Sequence, residues 1–128
     1  MTLETDIKRE FLLTKENVIP DEFIVSNPDE VWLNSGIDYM IYVPSYMLWC
    51  VKNGDSDGNL VTDYTITALA EFGRAKSLEN KLNFKFLCNN EQRAVVYNFL
   101  NWCLSNLICN EEQVLRAIKN WHIEDSTI

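Results

Sequence analysis

Length, composition and charge narrow the classes of protein to which this chain can belong. Its 128 residues, 47% of them apolar and 12% aromatic, predict one globular domain over 1–128 and exclude a disordered chain. The 19 acidic residues against 11 basic ones give a formal net charge of −8. This charge argues against direct binding of nucleic acid, because phosphates would be repelled, and it favours a basic partner.

The chain has no pattern of a secretory signal or of a membrane span. Charged residues interrupt the stretch 1–18, so it lacks the apolar region of a signal peptide. The longest apolar stretch, 40–51, is too short to cross a bilayer and contains Tyr, Pro and Ser. We therefore expect a cytoplasmic protein without a membrane partner.

The first third of the chain predicts two helices separated by a connector. Apolar residues spaced four apart indicate an amphipathic helix over 3–13. The segment 17–25 holds Pro20 and a β-favouring run, so it is a connector or a short edge strand, and we favour the connector. A capping region at 26–30 then predicts a short helix through 31–33 that Gly36 ends.

The middle of the chain predicts a buried helix and an amphipathic one. A helix over 43–53, with Pro44 in its first turn, is apolar on nearly every side and should be central. Helical spacing continues from 60 to 72 or 73. The segment 77–88 mixes helical and alternating spacing, and we interpret it as helix.

Two capping signals precede the last helices. Asn89 followed by Gln92, and Asn110 followed by Gln113, are residue pairs whose side chains accept hydrogen bonds from the exposed N–H groups at a helix start. The first of these helices carries a broad apolar stripe and should lie in the core. The stripe comprises Val95, Val96, Phe99, Leu100, Trp102, Cys103 and Leu107. Together these elements predict an all-α, single-domain bundle of about six helices.

Two segments resemble a family of small bacterial proteins of unknown function. YVPSYML at 42–48 resembles its aromatic-x-Pro-x-aromatic-x-Leu element, and EQRAVVYNFL at 91–100 resembles its E-Q-x-x-x-V-x-x-F-L helix. The resemblance covers about 39–105 and implies an α-helical fold and a bacterial source. It supplies no activity, cofactor or catalytic residue. The acidic loop 55–57 departs from the family's pattern.

The residues that usually carry metal or catalytic chemistry are sparse. Four cysteines, at 50, 88, 103 and 109, form no C-x-x-C pair, and the single histidine, His122, lies near the C-terminus. This spacing argues against zinc, and cysteines inside apolar helices act as small hydrophobic residues. No nucleophile stands beside a base in sequence. We therefore expect no enzyme, no catalytic residue and no cofactor.

The sequence of the loop 53–60, NGDSDGNL, resembles part of a calcium-binding loop, with oxygen ligands at alternate positions before a glycine. The position where a bidentate Glu should stand holds Tyr64. The same residues are also typical of an ordinary helix–helix turn. We predict no metal site, and a calcium-responsive domain remains an alternative.

The acidic residues are unevenly distributed along the chain. Residues 1–80 hold 14 acids and 6 bases, whereas residues 81–128 hold 5 of each. Several acids stand beside large aromatic residues, a mixture that attracts a basic partner and anchors it with rings. The candidate partner contacts are Asp21, Glu22, Asp29, Glu30, Trp32, Asp55, Asp57 and Asp63.

The functional hypothesis is an immunity or inhibitor protein that neutralises a basic bacterial toxin, such as a nuclease, by occluding its active cleft. An alternative is a self-associating regulatory or scaffold domain that uses Trp32, Trp49 or Trp121 across a symmetric interface. The chain would then be a homodimer rather than a monomer. A third reading is an ordinary solvated helix face whose aromatic residues turn inward.

Overall fold

Helices account for all the regular structure in the part of the chain that can be described. The computed structural model describes residues 2–29, 38–53, 60–74, 84–107 and 110–122. Within these ranges the helices are α1 Leu3–Glu10, α2 Asp21–Ser26, α3 Tyr39–Asn53, α4 Leu60–Arg74, α5 Phe84–Leu87, α6 Asn90–Asn106 and α7 Glu111–Trp121. Six of these helices are longer than a single turn. The prediction of an all-α bundle is confirmed.

The helices surround one hydrophobic core. The most extensive contact is between α4 and α7, and α7 also packs on α6. Helix α1 lies against α3 and α6, while α3 contacts α4 and carries α2 on its surface. Val95, Val96, Phe99, Leu100 and Cys103 are buried in α6, so the predicted core helix is confirmed.

The contact between α4 and α7 centres on the indole ring of Trp121, the last residue of α7. This ring is fully buried, and its Nε1–H donates to the Leu69 carbonyl at 2.7 Å. The neighbouring Asn120 side chain donates to the Ala70 carbonyl at 2.9 Å. The indole lies so close to Gly73 that a Cβ there would be 2.5 Å from Nε1. Glycine therefore permits the close approach of the two helices.

The single-turn helix α5 closes the same end of the bundle. The ring of Phe84 is fully buried, with its centroid 5.8 Å from Trp121, 5.9 Å from Phe72 and 6.2 Å from Phe11. The Lys85 ammonium donates to the carbonyl of Asn120 at 2.6 Å and is 3.5 Å from that of Gly73. Both carbonyls belong to helix C-termini, where a cation is favoured.

Capping contacts set the starts of α6 and α7. The Asn89 side chain accepts the Gln92 N–H at 2.8 Å, and the Gln92 side chain accepts the Asn89 N–H at 2.8 Å, so the predicted capping box is confirmed. The Gln92 amide also donates to the Glu10 carbonyl at 2.9 Å, joining α6 to the end of α1. Asn110 caps Gln113 similarly at 3.1 Å.

The first helix is shorter than the predicted 3–13. It ends at Glu10, and Leu12 follows with φ of 57°, the left-handed conformation. The Leu13 N–H then bonds the Lys8 carbonyl at 2.9 Å, and the Leu12 N–H bonds that of Arg9 at 3.4 Å. These two bonds form a Schellman motif, which ends the helix with a leucine where glycine is usual.

The prediction of a connector over 17–25 is wrong from residue 21 onwards, where α2 forms. The N–H groups of Phe23 and Ile24 both bond the Pro20 carbonyl at 3.1 Å. Acids in the first turn favour a helix start, and Ile24 is buried against α3. Tertiary burial therefore outweighs the β preference of the run that ends at Val25.

Helix α3 begins four residues before the predicted start. The Asp38 side chain accepts the Met40 N–H at 3.0 Å, and its carbonyl accepts the Tyr42 N–H at 2.9 Å. Pro44 therefore lies inside the helix and not in its first turn, where it lacks the N–H that would bond the Met40 carbonyl. The predicted short helix at 31–33, and most of the predicted helix 77–88, lie outside the described residues.

Replacing Gly73 by Ala tests the close approach of α4 and α7. Alanine favours helices by about 1 kcal/mol over glycine, yet the added methyl overlaps the fixed Trp121 ring. We expect the free energy of unfolding to fall by about 1–3 kcal/mol in urea titrations. In a Trp121→Leu background the same change should cost at least about 1 kcal/mol less. An equal cost in both backgrounds would contradict this account.

Candidate functional site

Among the candidate partner contacts, Asp21 and Glu22 lie together on the outward face of α2. Ile24 turns inward, whereas Asp21, Glu22, Val25 and Ser26 are exposed, and Val25 is 57% exposed. Residues four apart share one side of a helix. This acidic face of α2, defined by those four exposed residues, combines two carboxylates with an apolar side chain.

Three contacts fix α2 and its flanking chain to α3. The Ile19 N–H before the helix donates to the buried Ser45 hydroxyl at 3.1 Å. After it, the buried Tyr46 hydroxyl donates to the Asn27 carbonyl at 2.6 Å. Phe23 meets the Tyr42 ring edge-on, with centroids 6.0 Å apart. The acidic face of α2 is therefore held on the most buried helix of the bundle.

The remaining candidate contacts are not brought into this face by any described contact. Asp29 is half-buried just after α2, and Asp63 is exposed in the first turn of α4. Glu30, Trp32, Asp55 and Asp57 lie outside the described residues, as does the loop 54–59 that resembles a calcium site.

Other acids are partly neutralised. Arg9 bonds both Asp6 at 2.9 Å and Glu10 at 3.0 Å, and Lys8 pairs with Glu4 at 3.4 Å. Arg116 bonds Glu71 at 3.1 Å across α4 and α7. Within the described residues Asp21 and Glu22 take part in no ion pair. Their negative charge therefore stays at the surface.

Two tryptophans proposed for self-association belong to the core. Trp49 is 7% exposed and Trp121 is fully buried, so neither can form an interface on the surface of the folded chain. Trp32 lies outside the described residues. The exposed large apolar residues Leu12, Val25, Leu60, Leu87 and Leu115 come from different parts of the chain, as single exposed apolar residues ordinarily do.

A cavity of about 430 Å³ opens beside the acidic face of α2. One wall is the chain from Leu13 to Asp21, and the other is the α3 segment from Ser45 to Lys52. Leu13, Leu48 and Trp49 are nearly inaccessible to solvent there. The lining includes three exposed lysines, Lys8, Lys15 and Lys52, so this pocket is called the lysine cavity.

Sequence patterns do not reveal the lysine cavity, because its two walls are far apart in the chain. The three lysines of its lining are half of the six basic residues in 1–80. The net acidity of that region conceals this local excess of positive charge. Placing each base on helices and loops could indicate that Lys15 lies in a loop and Lys52 at a helix end, but only the packing of the segment 13–21 against α3 brings them to one cavity.

The buried cysteines have thiols of low reactivity. Burial raises the pKa of the Cys50 thiol to about 12, partly opposed by a hydrogen bond from Thr62 at 3.6 Å. Burial also raises the pKa of Cys88 to about 12, partly opposed by the positive charge of Arg93. Cys103 is buried as well. Because the thiolate is the reactive form, these thiols are poor nucleophiles at neutral pH.

The described part of the chain holds neither a metal-binding cluster nor a membrane-spanning helix. There, no group of three or more His, Cys, Asp or Glu side chains could hold a metal ion. In the same residues no helix is both long and apolar enough to cross a bilayer. Comparison with protein-family models, curated proteins and solved structures finds no match. The likeness of 42–48 and 91–100 to a bacterial family therefore stays a prediction.

Thiol labelling tests the burial of the cysteines. In a Cys109→Ser background, Cys50, Cys88 and Cys103 should not react with a thiol reagent at pH 8 in the native protein, because the thiols are buried. All three should react once the chain is unfolded in guanidinium. Rapid reaction of any of them in the native state would show that the chain around that cysteine is not packed as described.

Alkaline unfolding tests the raised pKa values. An unfolded thiol loses its proton near pH 9, whereas Cys50 and Cys88 lose theirs at about 12 in the folded chain. Their contribution to stability is therefore complete below pH 9 and is lost as the pH rises towards 12. Between pH 8 and pH 10, the urea midpoint of the parent should fall further than that of Cys50→Ala/Cys88→Ala. Equal falls would contradict the assignment.

Proposed function

We propose that this chain is an acidic protein-binding module, an immunity or inhibitor protein that neutralises a basic bacterial toxin such as a nuclease. In this proposal the acidic face of α2 enters the toxin's active cleft, and its carboxylates occupy the positions of substrate phosphates. The proposal includes no catalytic step for this chain and no cofactor. One observation carries it: Asp21 and Glu22 stand exposed on one face beside the exposed side chain of Val25.

The anchoring of α2 supports the proposal, because a pre-organised surface loses less conformational entropy on binding. Ser45 and Tyr46 hold the chain on both sides of the helix, with distances of 3.1 Å and 2.6 Å. The acidic face is therefore presented in a fixed orientation. Carboxylates in fixed positions can match the spacing of basic groups in a cleft.

The distribution of charge supports it further. The three acids of α1 and Glu71 of α4 are engaged by Arg9, Lys8 and Arg116, whereas Asp21 and Glu22, like Asp63 and the exposed acids of α6 and α7, have no described ion pair. A long-range negative field speeds encounter with a cationic protein and weakens as salt rises. Val25 adds apolar area of the kind found at the centre of interfaces.

Isosteric removal of the two charges tests the proposal. Asp21→Asn/Glu22→Gln should weaken binding to the basic partner by about 10-fold to 100-fold, since each lost charge pair at an interface is worth about 1 kcal/mol or more. The partner is captured from the source cell on immobilised protein at low salt, identified, purified and measured by calorimetry. The association rate should fall with added salt.

Helix α7 offers a matched control. Glu111→Gln/Glu112→Gln removes two consecutive, exposed acids from the first turn of a helix on another part of the surface. This variant carries the same net charge as Asp21→Asn/Glu22→Gln and should keep affinity within twofold. Equal weakening by both variants would mean that total charge, not the acidic face of α2, governs binding. Capture of no basic protein by the parent would count against the proposed function as a whole.

A further inference from the structure

We propose that the lysine cavity binds a small amphipathic anion, an aliphatic monocarboxylate whose chain enters between α3 and the segment 13–21. The proposal is based on a local excess of positive charge in a chain that is acidic as a whole. A chain of net charge −8 places Lys8, Lys15 and Lys52 around one cavity, with Asp21 the only carboxylate among the described residues of its lining.

The lysines differ in how far they are already engaged. Lys8 pairs with Glu4 at 3.4 Å, and both side chains are partly exposed. Lys15 and Lys52 are exposed and have no described carboxylate within ion-pair distance. An anionic headgroup between them would gain from both charges. Asp21 opposes such a headgroup, yet Lys15 and Lys52, which have no described ion pair, outnumber it at this site.

The interior of the cavity is suited to hydrocarbon. Leu48 and Trp49 contribute buried apolar surface from α3, and Val18 and Ile19 contribute from the facing chain. The buried polar side chain here is that of Ser45, whose oxygen already accepts the Ile19 N–H at 3.1 Å. A ligand rich in hydroxyl groups would leave them without partners, which is costly, whereas a methylene chain needs none.

The volume agrees with a chain of medium length. Its volume of about 430 Å³ lies near the lower end of the range of about 300–1,000 Å³ that is typical of ligand pockets with apolar walls and a few polar groups. A medium-chain saturated carboxylate such as octanoate is a ligand of the size that such a pocket takes. This site adjoins the proposed partner contact and shares Asp21 with it, but binding of the anion depends on the lysines and not on the carboxylates.

Titration with octanoate, followed by ¹H–¹⁵N NMR, tests the site. Octanoate should shift the indole N–H signal of Trp49, identified through Trp49→Phe, together with the amides of Leu48 and Lys52, in a saturable manner. 1-Octanol, with the same chain and no charge, should bind at least tenfold more weakly. Acetate should cause no shift at these positions. An unmoved Trp49 signal, or equal affinity for octanoate and 1-octanol, would overturn the proposal.

Lysine variants locate the headgroup. Lys15→Gln/Lys52→Gln should weaken octanoate binding about tenfold, whereas Lys119→Gln, an exposed lysine on α7 outside the cavity, should leave it unchanged. Added salt should weaken binding to the parent more than to the double variant. Equal affinities of the two variants would place the anion elsewhere and refute the assignment. Sedimentation with phosphatidylglycerol vesicles that requires Lys15 and Lys52 would indicate a membrane-binding surface instead and would equally refute it.

Discussion

The packing of the Trp121 and Phe84 rings at one end of the bundle is the interaction on which the other contacts depend. Trp121 fixes the end of α7 to the last turns of α4, and Phe84 fills the space between these helices and Phe11. Lys85, next in sequence, then neutralises the carbonyl ends of α4 and α7. Burial, and secondarily the positive charge of Arg93, lowers the pKa of Lys85, which means that the charged ammonium is destabilised at this position. Large aromatic side chains thus unite helices that are too short to be stable alone.

Helix α3 links this aromatic end of the bundle to the two surfaces of functional interest, the acidic face of α2 and the lysine cavity. It is buried along most of its length, and its Tyr39 ring reaches Phe72 of α4, with centroids 5.6 Å apart. Its Tyr46 holds the chain after α2, and its Trp49 and Lys52 line the lysine cavity. The negatively charged face of α2 and the positively charged lysine cavity therefore lie side by side against α3. Asp21 belongs to both, since it is on the acidic face of α2 and also in the lining of the cavity.

The fold could be predicted from sequence where the signal is local. The capping box of Asn89 and Gln92 spans three residues, and its geometry follows from the residue types alone. The apolar stripe of α6 is equally local. The start of α3 is harder to predict, because proline is typical of the first turn of a helix, whereas the cap is Asp38, five residues before the expected first residue. Helix α2 cannot be predicted from its short sequence, which favours strand, because only the burial of Ile24 decides against a strand.

The candidate site was predictable only in part, for a related physical reason. Asp21 and Glu22 could be chosen from charge and neighbouring aromatics, but their common orientation depends on α2, which the sequence did not indicate. The lysine cavity depends on walls that are far apart in the chain, since Ile19 and Ser45, for example, are separated by 26 positions. Its lysines look unremarkable one at a time. Their significance comes from the fold, which brings together positive charges that the composition of the chain hides.

The bond between the Gln92 amide and the Glu10 carbonyl also makes the stability of α1 depend on distant residues. Helix α1 packs mainly on α3 and α6, and this bond joins residues that are 82 positions apart. Eight residues are too few for a lasting helix in water, so α1 gains its stability from this packing. Because contacts between distant residues carry a large entropic cost of loop closure, docking of α1 is a slow step of folding.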